Sequence, residues 1–107
     1  MKIENFLNSL PSNYSQADKE LIIRAFKKAE KAHEGQTRVS GEAYINHCLA
    51  VATILAEMRV PPMVVAAGLL HDTVEDTDVT LDEIRKEFGE DIARMVDGVT
   101  KLTQLPR

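Results

Sequence analysis

The residues best suited to chemistry are concentrated in residues 69–77, whose sequence is LLHDTVEDT. An otherwise apolar stretch there acquires one histidine and three carboxylates, His71, Asp72, Glu75 and Asp76. If the stretch is helical, Asp72 and Asp76 lie four residues apart on one face, where their negative charges repel each other. Negative charge is also disfavoured near the C-terminal end of a helix. Because sequences break local rules mainly at functional sites, we expect a site here.

A divalent metal ion would remove this conflict of charges. His71 offers a neutral imidazole and Asp72 a carboxylate, a mixed set of nitrogen and oxygen ligands that suits Mn²⁺, Fe²⁺ or Zn²⁺ better than Ca²⁺. Neighbouring residues are about 100° apart around a helix, so both side chains can reach an ion between them. His47 lies in the preceding predicted helix, and antiparallel packing of the two helices could bring it to the same ion. We therefore predict a metal site formed by His47, His71 and Asp72.

Each of these residues also has a structural interpretation. A lone histidine on an apolar helix is more often a core residue than a ligand, and His47 gains support only from the cluster that follows it. His33 has no such support, and its place near a helix C-terminus, where a cation is favourable, indicates a structural role. Cys48 adjoins a proposed ligand but is typical of a small buried side chain.

Length and charge exclude several classes of function. The 107 residues correspond to one domain or a piece of one, and the net charge of −4 argues against a nucleic-acid-binding protein, which would show a basic stripe. A small anionic nucleotide remains compatible with that charge. The single cysteine excludes an intramolecular disulfide and fits a reducing compartment. There is no secretory signal, and the longest apolar run, residues 63–70, is shorter than the ~20 residues that span a membrane, so we expect a soluble, cytoplasmic protein.

The elements that must position these residues are all predicted to be helical, because no segment alternates with period two for long. The fold class predicted is an all-α, compact bundle of five to six helices. The central helix should be the one over residues 62–74, which is apolar on all sides up to Leu70. The predicted helix over residues 43–58 should bury Ile45, Leu49, Ala52, Ile54 and Leu55. The predicted elements are a helix between the N-cap Ser15 and the C-cap Gly35, helices over residues 43–58, 62–74, 80–88 and 91–102, a loop over residues 37–42 and a further short helix over residues 2–10.

Four segments together resemble a known family. They are residues 32–38 (AHEGQTR), 40–47 (SGEAYINH), 69–77 (LLHDTVEDT) and 96–102 (VDGVTKL). A histidine followed by a histidine-aspartate pair is the order found in the HD superfamily of metal-dependent phosphohydrolases. The four segments in this order look more closely like the hydrolase domain of RelA/SpoT homologues, which make and break the alarmone (p)ppGpp in the stringent response. The closing segment resembles the long, two-activity members more than the small stand-alone hydrolases.

The resemblance implies a role for each matching residue. His47, His71 and Asp72 would be three of four protein ligands to a Mn²⁺ ion, while Glu75 and Asp76 match the acidic pair that orients and activates the attacking water. The reaction implied is removal of the 3′-pyrophosphate, which leaves GDP or GTP. Spacing on a helix agrees, since Glu75 follows His71 by one turn and Asp76 follows Asp72 by one turn.

The same resemblance assigns residues to the nucleotide. Arg38 matches the residue that lies against the guanine base, and Ser40 falls in the same nucleotide-contacting loop. Many members carry a lysine directly after the loop arginine, whereas this chain has Val39, so one cation expected near the substrate is missing. Cys48 stands where a proline is common, a change that we expect to be harmless.

The resemblance also predicts that residues 1–107 are a partial HD domain. The fourth metal ligand of the family is an aspartate on a later helix, beyond Arg107, and Asp97 lies in a segment that matches a different part of the family. We therefore expect weak or absent turnover from this chain alone. We also expect self-association, through apolar surface that later helices would cover.

Two other hypotheses stay open. The protein could be an HD phosphohydrolase acting on a different nucleotide, which a panel of nucleotides would reveal. It could also be a non-catalytic, HD-like regulatory or interaction domain. The intact acidic pair Glu75–Asp76 argues against the non-catalytic hypothesis, since a decayed site has no reason to keep like charges together.

Overall fold

The computed structural model describes the backbone of residues 3–103 and the side chains of residues 3–99. This part of the chain folds into six α-helices and contains no β-strand, which confirms the predicted all-α bundle. Its single bridge of β type pairs Thr37 with Ala43 in the loop before the third helix. The helices are α1 (Ile3–Asn8), α2 (Gln16–Ala32), α3 (Tyr44–Glu57), α4 (Pro62–Asp76), α5 (Leu81–Phe88) and α6 (Glu90–Thr103).

Helix boundaries follow local capping chemistry. The hydroxyl of Ser15 accepts from the N–H of Asp18, and the Asp18 carboxylate accepts from the N–H of Ser15, which is the reciprocal capping box expected from the sequence. Thr80 caps α5 in the predicted way. The prediction of Gly35 as the C-cap of α2 is wrong, because α2 ends at Ala32 with His33 as its C-cap. Gly35 instead has φ of 82° in the turn that follows, a conformation that glycine adopts without steric cost.

Helix α4 lies at the centre of the bundle, as predicted, and packs against α2, α3 and α6. It begins with Pro62, whose fixed φ suits a first turn. Its buried residues cover several faces, as expected for a helix surrounded by others: Val65, Ala66, Ala67, Leu69, Leu70, Asp72 and Thr73. The helix continues to Asp76, two residues past the predicted end, so the whole acidic cluster belongs to its last turns.

Helix α3 is apolar around most of its circumference, and this made its buried face hard to predict. Ile54 is 58% exposed, so its predicted burial is wrong, and Ala56 is buried in its place. The reason is a close approach to α4, where a Cβ on Gly68 would lie only 2.6 Å from Cδ1 of Leu55. Leu55 is the α3 residue that meets Gly68, and Ile54, one position earlier and about 100° away around the helix, faces solvent.

The segment before α2 completes the core. Phe6 of α1 is 1% exposed, and the hydroxyl of the buried Tyr14 donates a hydrogen bond to the carbonyl of Val60, just before α4. In the described residues, no helix combines the length and the apolar character needed to cross a membrane.

Candidate active site

The sequence-predicted metal ligands lie where the start of α3 meets the end of α4. His47 is in the first turns of α3, and His71 and Asp72 are in the last turns of α4. Only residues 58–61 separate the two helices, so α4 runs back along α3. The packing of the two helices therefore brings together residues that are 24 positions apart in the sequence.

The carboxylate of Asp72 is the meeting point of the two imidazoles. Nε2 of His71 lies 3.0 Å from its Oδ1, and Nε2 of His47 lies 4.0 Å from its Oδ2. Asp72 is 8% exposed, so this carboxylate is largely withdrawn from water. A buried charge of this kind requires partners, and both oxygens face a histidine.

The second ring nitrogen of His71, Nδ1, determines which nitrogen carries the proton. Its Nδ1 lies 2.9 Å from the carbonyl oxygen of Gly68, and a carbonyl only accepts, so Nδ1 carries a proton. In the neutral ring, Nε2 then directs a lone pair at the carboxylate of Asp72. Two acceptors facing each other are favourable only when a proton or a cation lies between them. Ligand histidines in metal sites commonly donate the other ring N–H to a backbone carbonyl in this way.

The electrostatics of the pair follow from these contacts. Burial alone would raise the pKa of Asp72, but the hydrogen bond and charge of His71, together with Tyr44 and His47, outweigh burial and lower it. The hydrogen bond with Asp72 raises the pKa of His71, against the opposing effect of burial. The site therefore attracts positive charge, and a proton and a metal ion would compete for it.

The donor set fits a divalent ion in chemistry and partly in spacing. Two ligands at about 2.1 Å from one ion and at right angles to each other are about 3 Å apart, which matches His71 and Asp72. The 4.0 Å between His47 and Asp72 is wider than that. In residues 3–99, whose side chains are described, no group of three His, Cys, Asp or Glu side chains is arranged to hold a metal.

The acidic pair Glu75–Asp76 lies at the same end of α4, and both residues are exposed. Oδ2 of Asp76 accepts a hydrogen bond of 3.3 Å from the hydroxyl of Tyr44. The charge of Glu75 contributes to the raised pKa of His71. Both carboxylates are thus next to the His71–Asp72 pair.

Sequence reasoning missed Tyr44, Gln36 and Thr73, which link the site to its surroundings. The ring of Tyr44 stacks on His33 and meets His47 edge-on. Burial, followed by the charges of Asp72 and Asp76, raises the pKa of Tyr44 above its usual value, so its hydroxyl stays a donor. A signal was present, since Tyr44 precedes the predicted ligand His47 by about one helical turn.

The proposed substrate residues Arg38 and Ser40 lie on an exposed loop beside this site. With Thr37, Val39 and Tyr44 they line a pocket of about 550 Å³. The loop is a tight turn, in which the N–H of Arg38 bonds to the carbonyl of Glu42 at 2.9 Å. Because Tyr44 belongs to both the pocket and the carboxylate cluster, the two parts of the candidate site adjoin.

A comparison with known protein families matches residues 25–107 to the HD domain. The chain belongs to the HD domain family. The match begins within α2 and includes every residue that we predicted for the site.

Curated relatives place this HD domain in the RelA/SpoT family. It is 54% identical over 84 residues to a GTP pyrophosphokinase of Streptomyces coelicolor, covering 78% of this chain and 10% of that protein. It is 51% identical over 86 residues to a guanosine-3′,5′-bis(diphosphate) 3′-pyrophosphohydrolase of Vibrio cholerae, covering 80% of this chain and 12% of that protein. A probable GTP diphosphokinase of Oryza sativa is 47% identical over 88 residues, covering 82% of this chain and 12% of that protein. The chain thus spans about a tenth of the length of these relatives.

Neither Cys48 nor Asp97 is predicted from the sequence to be a metal ligand. Burial, and then the charge of Asp72, raises the pKa of the Cys48 thiol to about 12. This buried cysteine therefore packs as a small apolar side chain, in line with the sequence-based interpretation. Asp97 is half-buried on α6.

Proposed function

We propose that this HD domain hydrolyses the 3′-pyrophosphate of (p)ppGpp, giving GDP or GTP and pyrophosphate, with Mn²⁺ as cofactor in the full-length protein. His47, His71 and Asp72 would hold the ion. The observation that carries the proposal is the orientation of His71, whose Nδ1 donates to Gly68 while Nε2 faces the Asp72 carboxylate. That arrangement is the one expected of a ligand histidine with its supporting carbonyl.

The remaining residues have defined tasks in this proposal. When bound, a divalent ion lowers the pKa of a coordinated water and neutralises charge on phosphate oxygens. Glu75 and Asp76 are exposed carboxylates on the last turn of α4, and in this proposal they orient a water and accept its proton. Two carboxylates close together can serve as base and acid in one reaction.

The substrate is proposed from the pocket and from one relative. Arg38 offers a planar cation that can stack on a guanine base and bond to phosphate, and Ser40 offers a hydroxyl in the same pocket. The relative from Vibrio cholerae is named for hydrolysis of this nucleotide. Three protein donors hold an ion less firmly than the four of the resembling enzymes, so we expect slow turnover from the 107-residue chain.

A non-catalytic role is the second candidate, and two observations favour it. Several relatives are named for GTP pyrophosphokinase or diphosphokinase activity. In addition, the described side chains hold no ready-made group of three metal ligands. In that case the helices would serve regulation or interaction, and the site would bind no stoichiometric metal.

The test compares two changes of the same type. Asp72→Asn removes the charge at the meeting point of the histidines, and Asp91→Asn removes an exposed charge in the first turn of α6. We expect one Mn²⁺ per chain in the parent and in the Asp91 variant, measured by titration calorimetry and elemental analysis. Asp72→Asn should weaken Mn²⁺ binding more than about a hundredfold, because loss of an outer-shell partner alone can cost about that much and Asp72 is proposed as a direct ligand.

Hydrolysis is measured with enzyme in excess over labelled ppGpp, so that slow turnover is detected. Release of pyrophosphate that requires Mn²⁺ and disappears in Asp72→Asn supports the proposal. Metal binding without ppGpp hydrolysis would redirect the search to other nucleotides. No metal binding in the parent chain or in the full-length protein would favour the non-catalytic role.

A further inference from the structure

Tyr44 joins the buried part of the bundle to the exposed acidic pair. Its ring lies parallel to that of His33, with centroids 4.6 Å apart and an interplanar angle of 24°. Its hydroxyl donates to Oδ2 of Asp76 at 3.3 Å, and the same hydroxyl interacts with Asp72. One side chain thus touches a core histidine and both members of the i, i+4 carboxylate pair.

The His33 ring is itself held by a directed chain of hydrogen bonds. The amide nitrogen of Gln36 donates to the backbone carbonyl of Asp76 at 3.2 Å, which fixes the orientation of the amide. Its oxygen therefore accepts from Nδ1 of His33 at 3.0 Å. In the tautomer with its proton on Nδ1, Nε2 of His33 accepts from the hydroxyl of Thr73 at 3.3 Å. This series of hydrogen bonds starts at Thr73 of α4, passes through His33 and Gln36 after the end of α2, and ends at Asp76 of α4.

The burial of these groups makes the arrangement rigid. His33 is 3% exposed and Thr73 is 0% exposed, so water does not compete for their hydrogen bonds. Asp76, by contrast, is exposed at the end of its helix, where a carboxylate side chain ordinarily changes rotamer freely. The hydroxyl of Tyr44 is the contact that can hold it in one orientation.

We propose that Tyr44 is a positioning residue, whose hydroxyl fixes the Asp76 carboxylate towards the metal-binding residues and whose ring is fixed by His33. This inference rests on the proposed function, in which Asp76 takes part in proton transfer. A catalytic group that is displaced by about 1 Å can cost about a hundredfold in rate. Loss of the Tyr44 hydroxyl should therefore lower the maximal rate while leaving substrate and metal affinity almost unchanged.

The experiment removes one hydroxyl at a time. Tyr44→Phe keeps the ring that stacks on His33 and loses only the contact with the carboxylates. Tyr14→Phe is the matched control, because it loses the hydrogen bond to Val60, about 20 Å from Asp76 along α4. Each variant is measured for its maximal single-turnover rate on ppGpp, its half-saturating concentration and its Mn²⁺ affinity. Asp76→Asn and the double variant Tyr44→Phe/Asp76→Asn complete a double-mutant cycle.

The expected result is a fall of about tenfold to a hundredfold in maximal rate for Tyr44→Phe, with less than about twofold change in the half-saturating concentration. In the Asp76→Asn background, Tyr44→Phe should cause no further loss, because its effect passes through Asp76. A merely structural role predicts equal losses in both backgrounds. Equal rates for Tyr44→Phe and Tyr14→Phe would overturn the inference.

A second measurement decides the inference if the parent does not hydrolyse ppGpp, an outcome that would count against the proposed function alone. The side-chain carboxyl ¹³C resonance of Asp76, assigned through Asp76→Asn, reports the hydrogen bond directly. A shifted resonance in Tyr44→Phe with an unshifted one in Tyr14→Phe supports the positioning role. An unshifted resonance in both variants contradicts it.

Discussion

Helix packing holds His47, His71 and Asp72 at the meeting of α3 and α4, whereas Arg38 and Ser40 lie on an exposed loop. The buried residues of α4 on either side of the first group leave it little freedom. The loop is closed at its base, where the N–H of Tyr44 bonds to the carbonyl of Gln36 at 3.0 Å, and its tip faces solvent. The two halves of the candidate site thus differ in what fixes them.

Because of this difference, substitutions in the two halves should have different effects. A change in the α3–α4 contact should alter stability and the geometry of the proposed metal site together, because the same packing produces both. A change at the loop tip should alter substrate affinity alone, since the tip contributes little to the core. Substitutions in each half can therefore test whether the halves are independent.

The strongest test of the helical half is Gly68→Val. A Cβ at this position would lie 2.6 Å from Cδ1 of Leu55, so the end of the Leu55 side chain must shift, and the two further methyl groups of valine crowd the α3–α4 contact more. We expect a loss of about 1–3 kcal/mol in the free energy of unfolding, the usual cost of overpacking. Mn²⁺ affinity should fall with it, because His47 moves away from Asp72. Urea unfolding and metal titration measure the two effects.

Gly98→Val is the matched control on α6, since nothing lies within 4 Å of a Cβ there. Replacing a helical glycine by valine should leave stability unchanged or slightly higher, by a few tenths of a kcal/mol. If the two valine variants unfold alike, the close approach of α3 and α4 has no special energetic role. If Gly68→Val loses stability but keeps full Mn²⁺ affinity, packing and metal geometry are not coupled.

The sequence predicted the helical half well because its signals are local. The capping residues Ser15 and Thr80 and the apolar run before His71 mark helix ends and the central helix through interactions within a few residues. Antiparallel packing then follows from the short connection between α3 and α4. The meeting of His47 with Asp72 could thus be anticipated, although its 4.0 Å spacing could not.

The remaining features depend on contacts between distant residues. Ile54 is exposed because the next residue, Leu55, is the one that meets Gly68 of α4, and apolar periodicity cannot select that face on a helix that is apolar almost all round. Gly35 does not cap α2, because His33 ends the helix and enters the core. The hydrogen bond of Tyr44 to Asp76 joins residues 32 apart in the chain. Such contacts are set by tertiary packing, so the spacing of residues within one segment does not specify them.

Arg38→Ala tests the loop half. The guanidinium lies on the exposed turn and lines the pocket, so its removal should cost little stability. We expect the half-saturating concentration for ppGpp to rise about tenfold, consistent with loss of a cation stacked on an aromatic base. The maximal rate and the Mn²⁺ affinity should stay within about twofold, because the helical half is untouched.

Arg94→Ala serves as the control, since Arg94 is an exposed arginine on α6 whose ion pair with Glu90 contributes little. It should leave all three quantities unchanged. A fall in Mn²⁺ affinity for Arg38→Ala would show that the loop and the helices act as one unit, against the independence argued above.

Val39→Lys is the most delicate test, because it adds an interaction to the loop. Val39 is fully exposed, with a relative accessibility of 110%, so the substitution removes no packing. A lysine next to Arg38 places a second cation at the pocket, and we expect a gain of a few-fold in affinity for the anionic nucleotide. Val39→Gln controls for side-chain length without charge. Because exposed charges are screened, the gain should shrink as ionic strength rises towards 1 M. If the gain in affinity persists in high salt, or if Val39→Gln shows the same gain, the added charge at the loop tip is not its cause.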